Sequence, residues 1–235
     1  MTDIIKTENI YKDNNLFYVA VDCIIFGFHE GELKLLLIKR KLEPCKGEWS
    51  LMGGFLNKDE SIDAAAERVL QDLTGLENVF MEQIGIFGEL ERDPGERVLS
   101  AAYYALININ DYDKDQADQH NAVWVPMNEI PQLIFDHNIM VKIALKQLRR
   151  KAAVEPIGFN LLPQYFTLPQ FQALYEAIFG ETLDKRNFRK KVLAMDVLEK
   201  SDEKDKSNSK RGAFYYRFDD DKYNALIQNG SHFSI

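Results

Sequence analysis

The chain of 235 residues is 46% hydrophobic and 28% charged, as expected for a globular protein with one large domain or two smaller ones. No apolar run approaches the roughly 18 residues of a membrane-spanning helix, and the polar first segment is unlike a secretory signal, so we expect a cytoplasmic protein without membrane association. Cys23 and Cys45 are too few for a disulfide or zinc framework, and the net charge of −8 argues against nucleic-acid binding.

The first half of the chain predicts a sheet with helices beside it. Residues 17–28 (FYVAVDCIIFGF) and 33–41 (LKLLLIKRK) predict two buried strands joined by a tight turn. Further strands are predicted at 78–90 and 97–109, and a helix at 138–153. Another helix is predicted at Ser61–Leu73, because Ser61 is a suitable N-cap and Gly75 a suitable terminator.

The pattern changes near residue 155, where two prolines interrupt the chain. We therefore predict two domains, 1–153 and 154–235. Apolar residues at helical spacing predict a helix that ends at Gly180, and a short turn leads to a second helix at Asp184–Leu193. A strand, a charged loop and another strand follow, which together describe a winged helix-turn-helix. The third helix of that fold could be 139–152 or a helix around 161–165, and the periodicity leaves both open.

Charge is distributed unevenly along the chain. Residues 155–235 contain 12 basic and 12 acidic residues, so the net charge of −8 belongs to the first domain. The segment DKRNFRKK holds five basic residues in eight positions. On a helix, Lys185 and Arg189 share one face, as do Arg186 and Lys190, while Phe188 points inward. The basic face of a helix is usually a solvated surface, and it can also bind a protein. Within the order helix, turn, helix and wing, however, it indicates DNA binding.

One motif lies in the first domain, between Gly54 and Leu76. Gly54, Glu60 and Arg68 have the spacing of a metal-dependent phosphoanhydride hydrolase, and Gly75 closes the motif. Such an enzyme needs oxygen ligands for magnesium, which carboxylates on one helix face can supply. On this face the chain has Val69, Asp72 and Leu73. The aliphatic residues cannot bind a metal, so we expect neither metal binding nor catalysis.

These residues resemble the Nudix box, and the flanking sequences resemble the ADP-ribose pyrophosphatase branch of that family. The resemblance implies an α+β fold, with a Nudix-like α/β/α sandwich and a mixed sheet followed by the winged helix-turn-helix. It also implies that the pocket binds a small molecule without hydrolysing it, and that the protein needs no cofactor. A magnesium-dependent Nudix hydrolase is the alternative.

The second half resembles the DNA-binding domain of Nudix-related transcriptional regulators, in YFTLPQFQALYEAIFGETLDKRNFRKKVL and in KRGAFYYRFD. This resemblance implies a homodimeric repressor on palindromic double-stranded operator DNA. Asn187 can pair with an adenine edge, and arginine suits guanine or phosphate. The residues we expect at the DNA are Thr167, Gln170, Lys185, Arg186, Asn187, Arg189, Lys190, Lys210, Arg211, Tyr216 and Arg217.

The resemblance leaves the effector open between two classes. Some members of the group respond to ADP-ribose or related nucleotides, and others to pentoses such as arabinose. Because the missing carboxylates remove the metal that would help to bind a pyrophosphate, we expect a pentose ahead of a nucleotide. The candidate effector-binding residues are Arg40, Phe55, Glu60, Arg68, Asp72, Glu89, Arg92 and Tyr103.

Overall fold

A computed structural model describes residues 12–111, 121–207 and 212–235. Its first part contains the strands β1 (Tyr18–His29), β2 (Glu32–Lys39), β3 (Trp49–Ser50), β4 (Met52–Phe55), β5 (Phe80–Phe87), β6 (Val98–Asn108) and β7 (Val123–Pro126). The helices of this part are α1 (Ile62–Thr74) and α2 (His137–Ala152), and a 3-10 turn covers Ile109–Asp111. The strands and helices predicted from periodicity are therefore confirmed in kind and in order.

These strands form one mixed sheet with the order β3-β2-β1-β6-β5. The central strands β1 and β6 run parallel, whereas β1 pairs antiparallel with β2 and β4, and β2 with β3 and β7. Strand β5 pairs antiparallel with β6 at the edge. Alternate residues of β1 face opposite helices: Cys23 and Ile25 pack on the α1 side, and Ile24 and Phe26 on the α2 side. The predicted sandwich of helix, mixed sheet and helix is confirmed.

Helix α1 begins and ends at the residues that the sequence indicates. The Ser61 hydroxyl accepts a hydrogen bond from the Ala64 amide at 3.1 Å. At the other end, Gly75 adopts a left-handed backbone with φ of 72°, and its amide donates to the Gln71 carbonyl. Because glycine adopts this conformation without a steric cost, it ends the helix cleanly.

The second part of the chain is a winged helix unit. Its elements are a 3-10 segment (Pro156–Leu161), β8 (Phe166–Thr167), α3 (Leu168–Phe179), α4 (Lys185–Ala194), β9 (Leu198–Asp205), β10 (Ala213–Phe218) and α5 (Asp220–Gln228). The three strands form a sheet in the order β8-β10-β9. Of the two possibilities for a third helix, residues 139–152 are helical within α2, which contacts α3 through Arg149, and no α-helix covers 161–165. The sequence pattern did not predict α5.

The hydrophobic core runs without a break from the first part into the second. Phe159, in the 3-10 segment, stacks on Phe171 of α3 at 4.7 Å between ring centroids and on Phe218 of β10 at 4.4 Å. Phe233, which follows α5, meets Phe159 edge-on and is only 1% exposed. The division at 153/154 stays our proposal, since apolar packing is continuous across it. Over the described ranges, no helix is both long and apolar enough to cross a membrane.

Candidate functional site

In the motif between Gly54 and Leu76, an ion pair joins the loop before α1 to the helix itself. Arg68 of α1 donates to both carboxylate oxygens of Glu60, from Nε at 2.9 Å and from Nη2 at 2.6 Å, and Nη2 also donates to the Phe55 carbonyl. The Asn57 amide donates to the same carboxylate at 2.7 Å. The Arg68 hydrogen bonds, followed by that from Asn57, lower the pKa of Glu60 from 4.5 to about 2. Glu60 therefore serves the loop as a structural anion.

The rest of this motif does not fit a magnesium ion. Val69 is buried in the core on the α1 side of the sheet, where a carboxylate would be desolvated. The side chain of Asp72 is 64% exposed and lies 3.9 Å from Arg68 Nη1. Within the described part of the chain, no group of three His, Cys, Asp or Glu side chains is arranged to hold a metal.

A cavity of about 230 Å³ opens on the other side of the sheet, beside β1, β4 and the start of α2. Three of the residues that we expect to bind the effector, Arg40, Phe55 and Arg92, line this cavity. The other candidates do not: Glu60, Arg68 and Asp72 form the ion-paired group above, and Glu89 is exposed. Tyr103 faces α1, where its hydroxyl donates to Asp63. The sequence identified these residues as candidates but could not assign them to a side of the sheet.

The floor of the cavity is a buried network around Asp22, a residue of β1. Ser100 Oγ donates to Asp22 Oδ2 at 2.6 Å, and Arg92 Nη2 lies 3.5 Å from the same oxygen. Arg92 also donates to both oxygens of Asp136, at 2.8 and 3.0 Å. A Cβ at position 53 would clash with Asp22 Oδ1 and lie 2.7 Å from the Val21 carbonyl, so Gly53 is required for this carboxylate position.

His137, the first residue of α2, completes this floor. Its Nδ1 accepts a hydrogen bond from the Leu51 amide at 3.2 Å, and its Nε2 lies 3.5 Å from Asp22 Oδ1. Burial lowers the pKa of His137, and an acceptor role for Nδ1 requires the neutral ring with the proton on Nε2. Sequence analysis missed Asp22 and Asp136. The available signal was a single carboxylate, Asp22, inside an otherwise apolar strand.

The rim of the cavity is basic. Lys39, Arg40 and Lys41 follow one another at the end of β2 and line the opening. Arg40 Nε donates to the carbonyls of Leu42 and Pro44, at 3.0 and 2.7 Å, and the guanidinium lies 5.2 Å from the centroid of the Phe135 ring. These contacts fix the direction of the Arg40 side chain.

Helix α4 presents a basic surface to solvent. Lys185, Arg186, Asn187, Arg189 and Lys190 are all exposed, as the helical spacing predicts. On the opposite face, Phe188 and Val192 are buried in the core. The Asp184 carboxylate caps the helix by accepting from the Asn187 amide at 2.8 Å. The cations of this helix can therefore reach a partner without disturbing the packing beneath them.

Other residues expected at the DNA have structural partners. Thr167 is 2% exposed, and its hydroxyl and backbone amide form a capping box with Gln170 at the start of α3. Tyr216 is 9% exposed and packs in the core of β10. Arg217 pairs with Glu199 on the adjacent strand. The burial of Thr167 and Tyr216 leaves little of either side chain accessible and argues against the predicted DNA contact for both residues. Lys210 and Arg211 lie outside the described residues.

The geometry can be compared with known proteins. The NUDIX domain profile matches residues 16–145, and the profile of the NrtR DNA-binding winged helix domain matches 158–218. The ADPR responsive transcriptional repressor NtrR of Acinetobacter baylyi is 34% identical over 204 residues, which are 85% of this chain and 81% of the relative. The ADP-ribose pyrophosphatase of Methanocaldococcus jannaschii is 36% identical over 139 residues, which are 59% of this chain and 80% of the relative.

A similar solved structure covers both parts of the chain. It is Shewanella oneidensis NrtR complexed with a 27mer DNA, at 28% identity and a TM-score of 0.79, over 92% of this chain and 97% of that one. The likeness therefore extends through the cavity, α2 and the winged helix unit together.

Proposed function

The chain belongs to the NUDIX family, in the group of NrtR-type regulators, and from this premise we propose that it is an ADP-ribose-responsive transcriptional repressor. The observation that carries the proposal is the basic, exposed face of α4 within a winged helix unit. The repressor of Acinetobacter baylyi supports it, since the similarity includes both the Nudix and the winged helix parts.

We propose that α4 enters the major groove of operator DNA. Arg186 and Arg189 suit guanine edges or phosphates, and Asn187 suits an adenine edge. Their exposure supports this role, as does the packing of Phe188 that holds the helix in place. A single small module contacts few base pairs, so we also propose that two chains bind a palindromic site as a homodimer. This role would place the protein in the cytoplasm.

For the effector, we propose ADP-ribose rather than a pentose. The expectation of a pentose rested on the missing metal ligands, and the comparisons give it no support. The basic rim at Lys39, Arg40 and Lys41 supports a phosphorylated ligand, because cations can bind a diphosphate directly without a metal.

We propose further that the Nudix part senses its ligand without hydrolysing it. The buried, aliphatic Val69 supports this proposal, since it supplies no oxygen ligand and leaves Asp72 as the one carboxylate of the two, whereas magnesium requires several oxygen ligands. The pyrophosphatase of Methanocaldococcus jannaschii shows that a relative of this domain is an enzyme, which makes an activity assay necessary.

The test is DNA binding by the full chain, with a duplex selected from a random pool. We expect a salt-dependent complex that is lost in the double variant Arg186→Ala/Arg189→Ala. The double variant Lys142→Ala/Lys146→Ala, which removes the same charge from exposed positions of α2, is the control and should bind as the original chain does. ADP-ribose should change the affinity by about 5- to 150-fold, and arabinose should not. Failure to retain any duplex would refute the proposal.

A further inference from the structure

The direction of α4 depends on the short turn that precedes it. Helix α3 ends at Gly180, whose backbone is left-handed with φ of 73°, and α4 begins at its N-cap Asp184. The side chains that anchor α4 in the core, Phe188 and Val192, lie in the middle and near the end of the helix. The first turn, residues 185–187, is exposed, so its position needs a constraint from elsewhere.

Two side chains of α3 supply this constraint by holding the backbone of Leu183. The Leu183 amide donates to Glu176 Oε1 at 2.9 Å, and Gln172 Nε2 donates to the Leu183 carbonyl at 3.0 Å. Gln172 Nε2 also donates to Glu176 Oε1 at 2.9 Å, which closes a ring of three hydrogen bonds. The two side chains are half-buried and, at a spacing of four residues, share one face of α3. We call Gln172 and Glu176 the turn clamp, because they bind both polar backbone groups of the residue before the N-cap.

The turn clamp has a different role from the cap of α4. The Asp184 carboxylate accepts from the Asn187 amide, and it therefore stabilises the start of α4 without relating it to another helix. The turn clamp instead joins α3 to the residue that leads into α4. Without the clamp, α4 would keep its cap and its buried Phe188, but its first turn could shift relative to α3.

The charge of Glu176 is unfavourable for DNA binding in general. A carboxylate near a basic helix repels phosphates, which lowers the affinity for DNA of any sequence. The same charge strengthens the clamp, because a hydrogen bond from an amide to a carboxylate is stronger than one to a neutral acceptor. We therefore expect the benefit of Glu176 to lie in discrimination between sequences.

We propose that Gln172 and Glu176 are positioning residues for operator recognition: by holding Leu183, they set where the first turn of α4 presents Arg186 and Asn187 to the base edges. This inference rests on the proposed function and deepens it. Phosphate contacts carry no sequence information, whereas paired hydrogen bonds to a base edge depend on the geometry of both groups. The clamp therefore controls the preference for operator over other DNA, and not the affinity for DNA as such.

The test measures two duplexes on the full chain by fluorescence anisotropy. One is the duplex selected with the unaltered chain, and the other is a scrambled duplex of the same length and composition. In Glu176→Ala, we expect the ratio of the two affinities to fall about tenfold or more, as after the loss of one base contact. The affinity for the scrambled duplex should rise slightly, because a negative charge is removed. An unchanged ratio would overturn the inference.

Two further variants separate the clamp from the charge. Glu176→Gln removes the same charge but keeps an oxygen that can accept from the Leu183 amide, so it should retain most of the discrimination. Glu181→Ala removes a carboxylate from an exposed position of the same turn and is the matched control, with the ratio of the unaltered chain. A ratio that falls equally in Glu181→Ala and Glu176→Ala would assign the effect to charge and overturn the role of the clamp.

Gln172→Leu tests the other member of the clamp. It should lower the ratio as well, and adding it to Glu176→Ala should have little further effect, because either substitution opens the ring of hydrogen bonds. Damage to the fold gives a different result, since partial unfolding weakens the binding of both duplexes to the same extent and leaves the ratio unchanged. Full additivity of the two substitutions would show that the residues act separately, against the inference.

The outcomes separate this inference from the proposed function. If the unaltered chain and Glu176→Ala prefer the selected duplex equally, the regulator stands and the positioning role fails. If the unaltered chain itself binds both duplexes equally, the proposed function fails and the inference fails with it.

Discussion

Arg149, in the last turn of α2, donates from Nε to the backbone carbonyl of Ile178 in α3 at 2.7 Å. The same helix begins at His137 on the floor of the cavity. One rigid helix thus contacts the proposed effector site at its first residue and the winged helix unit near its last turn. Gly180 allows this approach, since a Cβ there would lie 3.0 Å from Arg149 Nη2.

The Arg149 contact predicts that a variant at this position still binds ADP-ribose and DNA, but that the binding of one no longer changes the affinity for the other. In Arg149→Gln, we expect ADP-ribose to bind the cavity normally and to change DNA affinity by less than about threefold, below the usual range of coupling energies. Fluorescence anisotropy with and without ADP-ribose measures this change. Arg150→Gln, at the next and exposed position, should respond like the original chain. An unaltered response in Arg149→Gln would show that coupling uses other contacts.

Phe233 lies outside residues 158–218, which match the winged helix profile. We nevertheless expect it to contribute strongly to the stability of the fold. Its ring is buried against Phe159, and the amides that follow it donate to Met195 Sδ at 3.4 Å and to the Ala153 carbonyl at 3.1 Å. Phe233→Ala should lower the free energy of unfolding by about 3–5 kcal/mol, as for other buried rings. Urea denaturation measures it, and Ile227→Ala, at a half-exposed site of α5, should cost far less. Equal losses would contradict this prediction.

The ion pair of Glu60 and Arg68 predicts a dependence of stability on pH. Since the folded chain lowers the pKa of Glu60 from 4.5 to about 2, the carboxylate stabilises the fold above pH 4.5, and this contribution is lost between pH 4.5 and 2. Glu60→Gln should therefore be less stable than the original chain at neutral pH, and the difference should shrink toward pH 2.

A double-mutant cycle provides the control for that measurement. In an Arg68→Gln background, the same substitution at Glu60 should have little effect, because the principal hydrogen bonds to the carboxylate are already gone. A difference that persists in this background would assign the stability to another partner.

The buried position of Thr167 predicts that its substitution weakens the cap of helix α3 and does not remove a DNA contact. Thr167→Ala should lower the free energy of unfolding by about 1 kcal/mol, the usual cost of losing an N-cap. The slope of log affinity for DNA against log salt concentration should not change, because no phosphate contact is removed. A smaller slope would show that the hydroxyl leaves its capping box to bind the backbone of DNA.

The degenerate motif predicts no hydrolysis of ADP-ribose. With magnesium and high protein concentration, we expect no AMP above the blank, and Asp72→Ala should give the same result. Chromatography of the nucleotides measures it. Turnover that disappears on adding a chelator, or in Asp72→Ala, would establish an enzyme.

The local sequence pattern was sufficient to predict those helices and strands whose caps and apolar spacing lie within a few residues. Ser61, Gly75 and the alternating residues of β1 act on their immediate neighbours, so α1 and the central strand could be predicted. The exposed face of α4 followed from helical spacing in the same way. These features depend on the backbone of a single element, and a single sequence contains that information.

Contacts between distant residues could not be obtained in this way. Asp22, Ser100 and His137 come from three separate elements and meet only because β1 and β6 pair in one register. Tyr216 alternates with exposed residues in its strand, so its burial depends on which face α3 covers. Helix α5 has a polar composition that gives it no strong apolar stripe, so the suitable N-cap at Asp219 did not by itself indicate a helix.

The stacking of Phe159 between α3 and β10, with Phe233 against it, has a consequence for protein engineering. A chimera that joins the Nudix part to a foreign DNA-binding module through a cut between the 3-10 segment and β8 would separate Phe159 from the rings of Phe171, Phe218 and Phe233. Modules of this group should therefore be exchanged together with both rings, and new specificities should be sought on the surface of α4 instead.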